Sequence, residues 1–294
     1  MSSAIVALTA IALALRILSN PVANVFQKKL TGKGYHALMV NFSAYALLSV
    51  PCAVMALCTD WSQVQPMYWV WAVVAGVIGS VGNGFLVMAL KDGDLSILGP
   101  INSYKSVVGL IFGIIILGEM PSWLGLLGTV VIIGGSYFVF ETTPEGFSWR
   151  LLHNKQIRYR IYAMVLTAIE AVFIKKVIAC SSSTVAFYAW CWFGALFAAV
   201  QMLVMRVDLK AGTARPRKAD AWPFLAVALC LGTMQFTTNY VFAHMNVSYG
   251  LALFQLSTIV SIVLGYKLFQ ERDIKRKLLG SVIMIAGSVM IIFG

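Results

Sequence analysis

Three ionisable residues stand inside long apolar runs of this sequence: Arg16, Lys105 and Glu170. At the centre of a helix in hydrocarbon each costs about 2.5–3.5 kcal/mol on the insertion scale, so each must face a partner, a polar interior or water. Two cations and one carboxylate at a common depth suit an anionic or zwitterionic ligand. Arg16, Asn20 and Asn24 recur every four residues and share one helix face. Pro21, within that run, lacks a backbone donor and is expected to kink the helix. Asn102 and Lys105 share another face, and Gln235, Asn239 and Gln255, with Thr258, add groups able to orient a polar molecule. The expected substrate-binding set is therefore Arg16, Asn20, Asn24, Asn102, Lys105, Gln235, Asn239 and Gln255, with Glu170 as the proton-coupling group.

Alternatives exist for several of these. Glu170 could instead neutralise Arg16 or Lys105 in an ion pair, or hold a substrate ammonium. The amides could serve interhelical hydrogen bonds, worth about 0.6 kcal/mol each. His244 reads as a satisfied helix-end residue or as a proton relay. Phe187, Tyr188, Trp190, Trp192 and Phe193 crowd one run and read as packing or lipid-facing aromatics, or as a substrate platform.

Enzyme chemistry finds no foothold. HExxH, GxSxG and Walker motifs are missing from the sequence, and His36, His153 and His244 lie in separate segments. The glycine-rich stretch 79–84 has neither GK[ST] nor a preceding strand pattern. Cys52, Cys58, Cys180, Cys191 and Cys230 form no CxxC pair and read as buried small hydrophobes. No cofactor and no metal are expected.

The elements that must hold these groups follow from composition. Of 294 residues, 60% are apolar and only 11% charged, against about 25% charged in a soluble domain. That excludes a soluble enzyme, a disordered chain and a disulfide-rich module. The net charge of +11 is scattered among apolar runs, which points to membrane topology rather than to nucleic acid. Runs near 4–28, 35–58, 67–90, 95–118, 122–140, 159–180, 183–205, 221–245, 247–269 and 275–293 predict ten transmembrane helices. No basic leader or small-residue cleavage site marks a removable signal, so the first run is expected to remain. Trp61, Tyr68, Trp69, Trp123, Trp149 and Trp222 fall near span ends as interfacial anchors.

The spans repeat. A shift of 152 lays Ser96–Phe140 on Ser248–Ile292 without a gap, matching Gly113 with Gly265, Glu119 with Glu271, Gly128 with Gly280 and Gly135 with Gly287. It also lays Asn83 on Gln235 and Ser103 on Gln255, and a shift of 147 lays Lys28 and Lys29 on Lys175 and Lys176. The polar stretch 141–158 separates halves of five spans, 1–145 and 146–294. Because five is odd, the second half must enter the membrane upside down, as in carriers built from inverted repeats with a site at the midplane. Glu119 and Glu271 each precede a helix and read as caps of its N-terminus.

The ten spans and the strings Gly118-Glu119…Leu127-Gly128…Gly134-Gly135 and Gln270-Glu271…Leu279-Gly280…Ala286-Gly287 resemble the drug/metabolite transporter superfamily, in particular its EamA-type ten-helix transporters. Gln270 stands where that family has glycine. The resemblance implies a carrier of amino acids, sugars, nucleotide sugars or other small metabolites, working by exchange or with protons. The rival readings are a lipid-linked intermediate flippase of the same family, a non-transporting membrane protein and a membrane enzyme. The implied partners are a small-molecule metabolite and the lipid bilayer, without nucleic acid and with a homodimer as the alternative to a monomer. The expected location is a bacterial inner membrane. Of the 22 basic residues, 18 fall in connections after odd-numbered spans, which places those connections in the cytoplasm and both termini outside. The resembled family usually has both termini in the cytoplasm.

Overall fold

A computed structural model describes residues 3–112, 122–143, 149–208, 218–245 and 247–293. Glu119 and Pro121, read above as a cap and a helix opener, lie outside the described residues. The described residues are helical, with no strand among them. The helices are α1 (Ser3–Gly32), α2 (Ala37–Leu57), α3 (Met67–Asp92), α4 (Leu95–Ile101), α5 (Tyr104–Phe112), α6 (Trp123–Phe140), α7 (Lys155–Ala179), α8 (Ser183–Val204), α9 (Ala221–His244), α10 (Val247–Phe254), α11 (Ser257–Phe269) and α12 (Ile274–Phe293).

Side-chain caps start several of them. Asn154 Oδ1 accepts from the Gln156 and Ile157 amides at 3.0 and 3.2 Å, opening α7. Ser122 Oγ accepts from Gly125 at 3.1 Å for α6, and Ser182 Oγ from Val185 at 3.2 Å for α8. Such caps contribute about 1 kcal/mol each. At the start of α2, His36 Nδ1 accepts from Leu38 at 3.2 Å. Burial and nearby Lys91 hold this imidazole below the usual histidine range, which keeps that nitrogen free to accept.

Seven helical stretches are long and apolar enough to cross a membrane: Ala4–Gly32, Ala37–Leu57, Met67–Asp92, Trp123–Phe140, Ser183–Val204, Lys218–His244 and Gly250–Phe269. Of the other three expected spans, 95–118 is interrupted and runs beyond the described residues. Helix α7 carries Lys155, Arg158, Arg160, Glu170, Lys175 and Lys176, and α12 opens on Lys275, Arg276 and Lys277. Bare apolar side chains form the outer belt: Val6, Leu8, Ile11, Leu15 and Leu18 on α1, Val50 and Val54 on α2, Leu127 and Val130 on α6. Exposed apolar area on this scale needs lipid as its solvent. Trp123, Trp149 and Trp222 are exposed as anchors should be, but Tyr68 is fully buried and donates its hydroxyl to the Val185 carbonyl at 3.1 Å.

Helix packing follows the repeat. Helix α3 packs on α7 as α9 packs on α1, α4 packs on α11 as α10 packs on α5, while α2 meets α8 and α6 meets α12. Glycines allow the closest approach. A Cβ at Gly135 would lie 2.9 Å from the Gly280 carbonyl, and one at Gly287 would lie 2.6 Å from the Gly128 carbonyl. Low residue numbers in α6 thus meet high numbers in α12, so these two repeat-related helices run antiparallel.

Two expected spans break midway. The described part of the run 95–118 is α4 then α5, and the run 247–269 is α10 then α11. Pro100 explains the first break, because it has no amide to continue the α-helical ladder. The next amides turn to nearer carbonyls, Asn102 to Gly99 and Ser103 to Pro100, both at 2.9 Å. At the second break the Gln255 amide bonds Ala252 at 3.0 Å, and the Gln255 side chain takes the freed Leu251 carbonyl at 2.9 Å. Pro21, by contrast, sits inside an α1 that continues to Gly32.

Gln270 adopts φ 55° as the left-handed cap of α11. A side chain in that region is disfavoured by about 1 kcal/mol, and glycine is not. We expect Gln270→Gly to raise thermal stability in detergent by about 0.5–1 kcal/mol; a lower melting temperature would show that the Gln270 side chain itself holds the turn.

Candidate functional site

A cavity of about 60 Å³ lies among α1, α3, α5, α7, α9 and α10, beside both helix breaks. That volume holds a few water molecules or a small polar group. It is lined by Arg16, Asn20 and Asn24 from α1, Asn102 and Lys105 at the first break, Glu170 from α7 and Gln235 from α9. Those seven sequence-predicted residues converge there. Asn239 and Gln255 do not line it. Asn239 is fully buried, accepting from Gln235 at 2.8 Å and donating to the Ser183 carbonyl at 3.2 Å. Gln255 is fully buried as the cap of Leu251 described above. Both were expected as ligand contacts; spacing cannot separate a cavity face from a neighbouring helix contact.

Arg16 and Glu170 are each anchored by neighbouring side chains. Arg16 is 6% exposed; its Nε donates to Thr238 Oγ1 at 2.9 Å and its guanidinium lies 4.5 Å from the Phe254 ring centroid. Arg16 Nη1 is buried with no partner. Glu170 accepts from Trp190 Nε1 at 3.0 Å and lies over Gly79, where a Cβ would overlap Oε1. Among the described residues no ion pair within 4 Å joins Glu170 to Arg16 or Lys105, so its direct anchorage is Trp190. Gly79→Ala should therefore push the carboxyl group off Trp190 and cost about 1–3 kcal/mol, as overpacking does. A detergent melt unchanged from the parent would mean that α3 can shift to make room.

Other lining residues escaped the sequence reading. Arg160, one of the 18 basic residues assigned above to connections although it falls at the edge of the run 159–180, lies in α7 at 5% exposure and lines the cavity. Its Nε donates to the Leu98 carbonyl at 2.7 Å. That carbonyl would serve the Asn102 amide in an unbroken helix, so the Pro100 break frees the group that orients Arg160. Proline at 100 was the available signal. Trp190 is 3% exposed and holds Glu170, which makes it neither lipid-facing nor a platform. Asn83, also in the lining, donates to the Tyr45 hydroxyl at 2.8 Å. His244 at the end of α9 meets the Tyr240 carbonyl at 2.8 Å, the satisfied helix-end reading. All five cysteines are free; Cys52 and Cys191 are buried, whereas Cys58 is exposed.

A second polar cluster lies away from the cavity. Glu271 was expected to cap the helix that follows it. Instead its carboxylate accepts from the Leu95 and Ser96 amides, both at 2.8 Å, and so caps α4 of the other repeat. Lys28 Nζ pairs with Glu271 at 3.3 Å and donates to the Gly93 carbonyl at 2.8 Å. Lys277 Nζ donates to Ser96 Oγ at 2.8 Å. Lys175, the repeat counterpart of Lys28, donates to the Phe242 and Met245 carbonyls.

A helical bundle with an apolar belt and a charged cavity inside defines an integral multi-pass membrane protein. The model of the EamA-like transporter family matches residues 7–141 and 156–293, once per repeat, and the chain belongs to that family. Its members are transporters rather than enzymes. A solved crystal structure shares the fold with a TM-score of 0.69, covering 99% of this chain and 96% of its own at 13% identity. No curated protein matches the chain.

Proposed function

We propose that the protein is a ten-span secondary carrier whose halves, 1–145 and 146–294, are inverted relative to each other. It moves a small polar metabolite, anionic or zwitterionic, by alternating access. The observation that carries this reading is the charged cavity bordered by both repeats where two helices break, since irregular backbone at membrane depth is tolerated only beside protein or a wet cavity. The antiparallel packing of α6 on α12 supports the inversion. Arg16 and Lys105 hold the anionic group, and Asn20, Asn24, Asn102 and Gln235 orient the ligand. Glu170 couples protonation to transport or holds a substrate ammonium. The driving force is a proton gradient or counter-exchange.

The cluster of Lys28, Glu271 and the α4 N-terminus fits a closed gate, with Lys175 on the α9 carbonyls as its counterpart in the other repeat. The charge bias supports an inner-membrane protein with both termini outside. Labelling of a tag at residue 1 from the outer face is the expected result there, and labelling of the 206–220 connection from that face overturns it. The function itself is tested by counterflow of radiolabelled metabolites in liposomes holding the purified protein. Saturable exchange of at least one polar metabolite is expected; its absence across a broad panel of amino acids, sugars and organic anions would sink the carrier reading.

A further inference from the structure

The cavity carries one more cation than helix periodicity foresees, and this narrows the ligand. Building on the carrier reading above, we propose that the site takes a compact dianion, a phosphate-type or short dicarboxylate group, in preference to a zwitterion or a monoanion. Arg16, Lys105 and Arg160 line the cavity with a single carboxylate, Glu170. They arrive on α1, α5 and α7, so both repeats contribute. Among the described residues no ion pair joins any of the three to a carboxylate. Glu170 can offset one of the three charges; the remaining excess is costly in a low dielectric, and a doubly charged occupant would neutralise it.

The hydrogen bonds favour the same ligand. The Nε atoms of Arg16 and Arg160 are already engaged, by Thr238 and by the Leu98 carbonyl. Those bonds hold both side chains at the cavity. Arg16 Nη1 remains buried and unpartnered, a donor awaiting an acceptor. Guanidinium groups recognise carboxylate and phosphate oxygens through paired N–H donors. Glu170 is one carboxylate against three cations, so a zwitterion, which brings no net charge, would leave the excess positive charge in place. The 60 Å³ volume suits a compact charged group.

The test is thermal-shift titration of the full-length protein in nanodiscs with inorganic phosphate, succinate, acetate and glycine at constant ionic strength. Phosphate or succinate should act at concentrations about tenfold or more below acetate and glycine. The better of the two dianions names the phosphate or the dicarboxylate class. A response to phosphatidate in the bilayer without one to free phosphate would place the same chemistry on a lipid headgroup. Arg160→Gln should bring the dianion within about twofold of acetate, and Arg160→Lys should keep the preference. Equal or weaker responses to the dianions, or none to any probe, overturn the proposal. If a zwitterion shows counterflow while dianions do not bind, the carrier stands and this inference falls. If dianions bind but no metabolite exchanges, the carrier reading falls and the site stands.

Discussion

Replacing Glu271 with alanine should destabilise the protein by about 3–5 kcal/mol, the usual loss when one partner of a buried charged pair is removed. The Glu271 carboxylate is the acceptor for the Leu95 and Ser96 amides and for Lys28 Nζ. Its side chain is 3% exposed, so water cannot readily replace it. Alanine would leave two helix-start amides and an ammonium unserved, and it would unfasten α4 from the connection between α11 and α12. Glu271→Gln keeps one acceptor oxygen and should fall between parent and alanine. Lys28→Met should do least, because both amides retain their acceptor. Thermal denaturation of the three variants in one detergent checks the order. A loss below about 1 kcal/mol for the alanine variant would show that the two repeats are held together elsewhere.

Glu170→Gln should abolish the pH dependence of uptake while leaving the protein folded and inserted. The amide oxygen can still accept from Trp190 Nε1, and the side chain still fits beside Gly79. What it loses is the ability to take up and release a proton as the cavity opens to each side in turn. If uptake by the parent in proteoliposomes changes about tenfold between pH 5 and 8, the variant should change less than about twofold. An unchanged profile removes Glu170 from coupling. A retained profile with weakened binding of amine-bearing substrates would assign it to an ammonium instead.

Much of this architecture was legible in the residues. Arg16, Asn20 and Asn24 reached the cavity because four-residue spacing on a continuous helix leaves one side for all three. The paired glycines of α6 and α12 were visible because close packing in lipid restricts those positions to the smallest residue. Gln270 marked itself as a departure from a glycine pattern, and its left-handed backbone gives the reason. Arg160 was hidden by its place beside a polar stretch, where a cation reads as a connection charge. Gln255 and Asn239 carried the right chemistry at the right spacing, and only their helix neighbours show that Asn239 bonds Gln235 and Ser183 while the Gln255 amide nitrogen bonds the Leu251 carbonyl.

The sequence by itself determined the solvent, the repeat and the polar faces, because hydrophobicity and helical period are local properties of the chain. Tertiary structure alone decided which charges meet. Arg160 turns inward because Pro100 frees a carbonyl on another helix. Trp190 anchors Glu170 across two helices, and Glu271 caps a helix of the opposite repeat. Such partners are chosen by helix packing between distant segments, and no spacing along the chain encodes which two faces will touch.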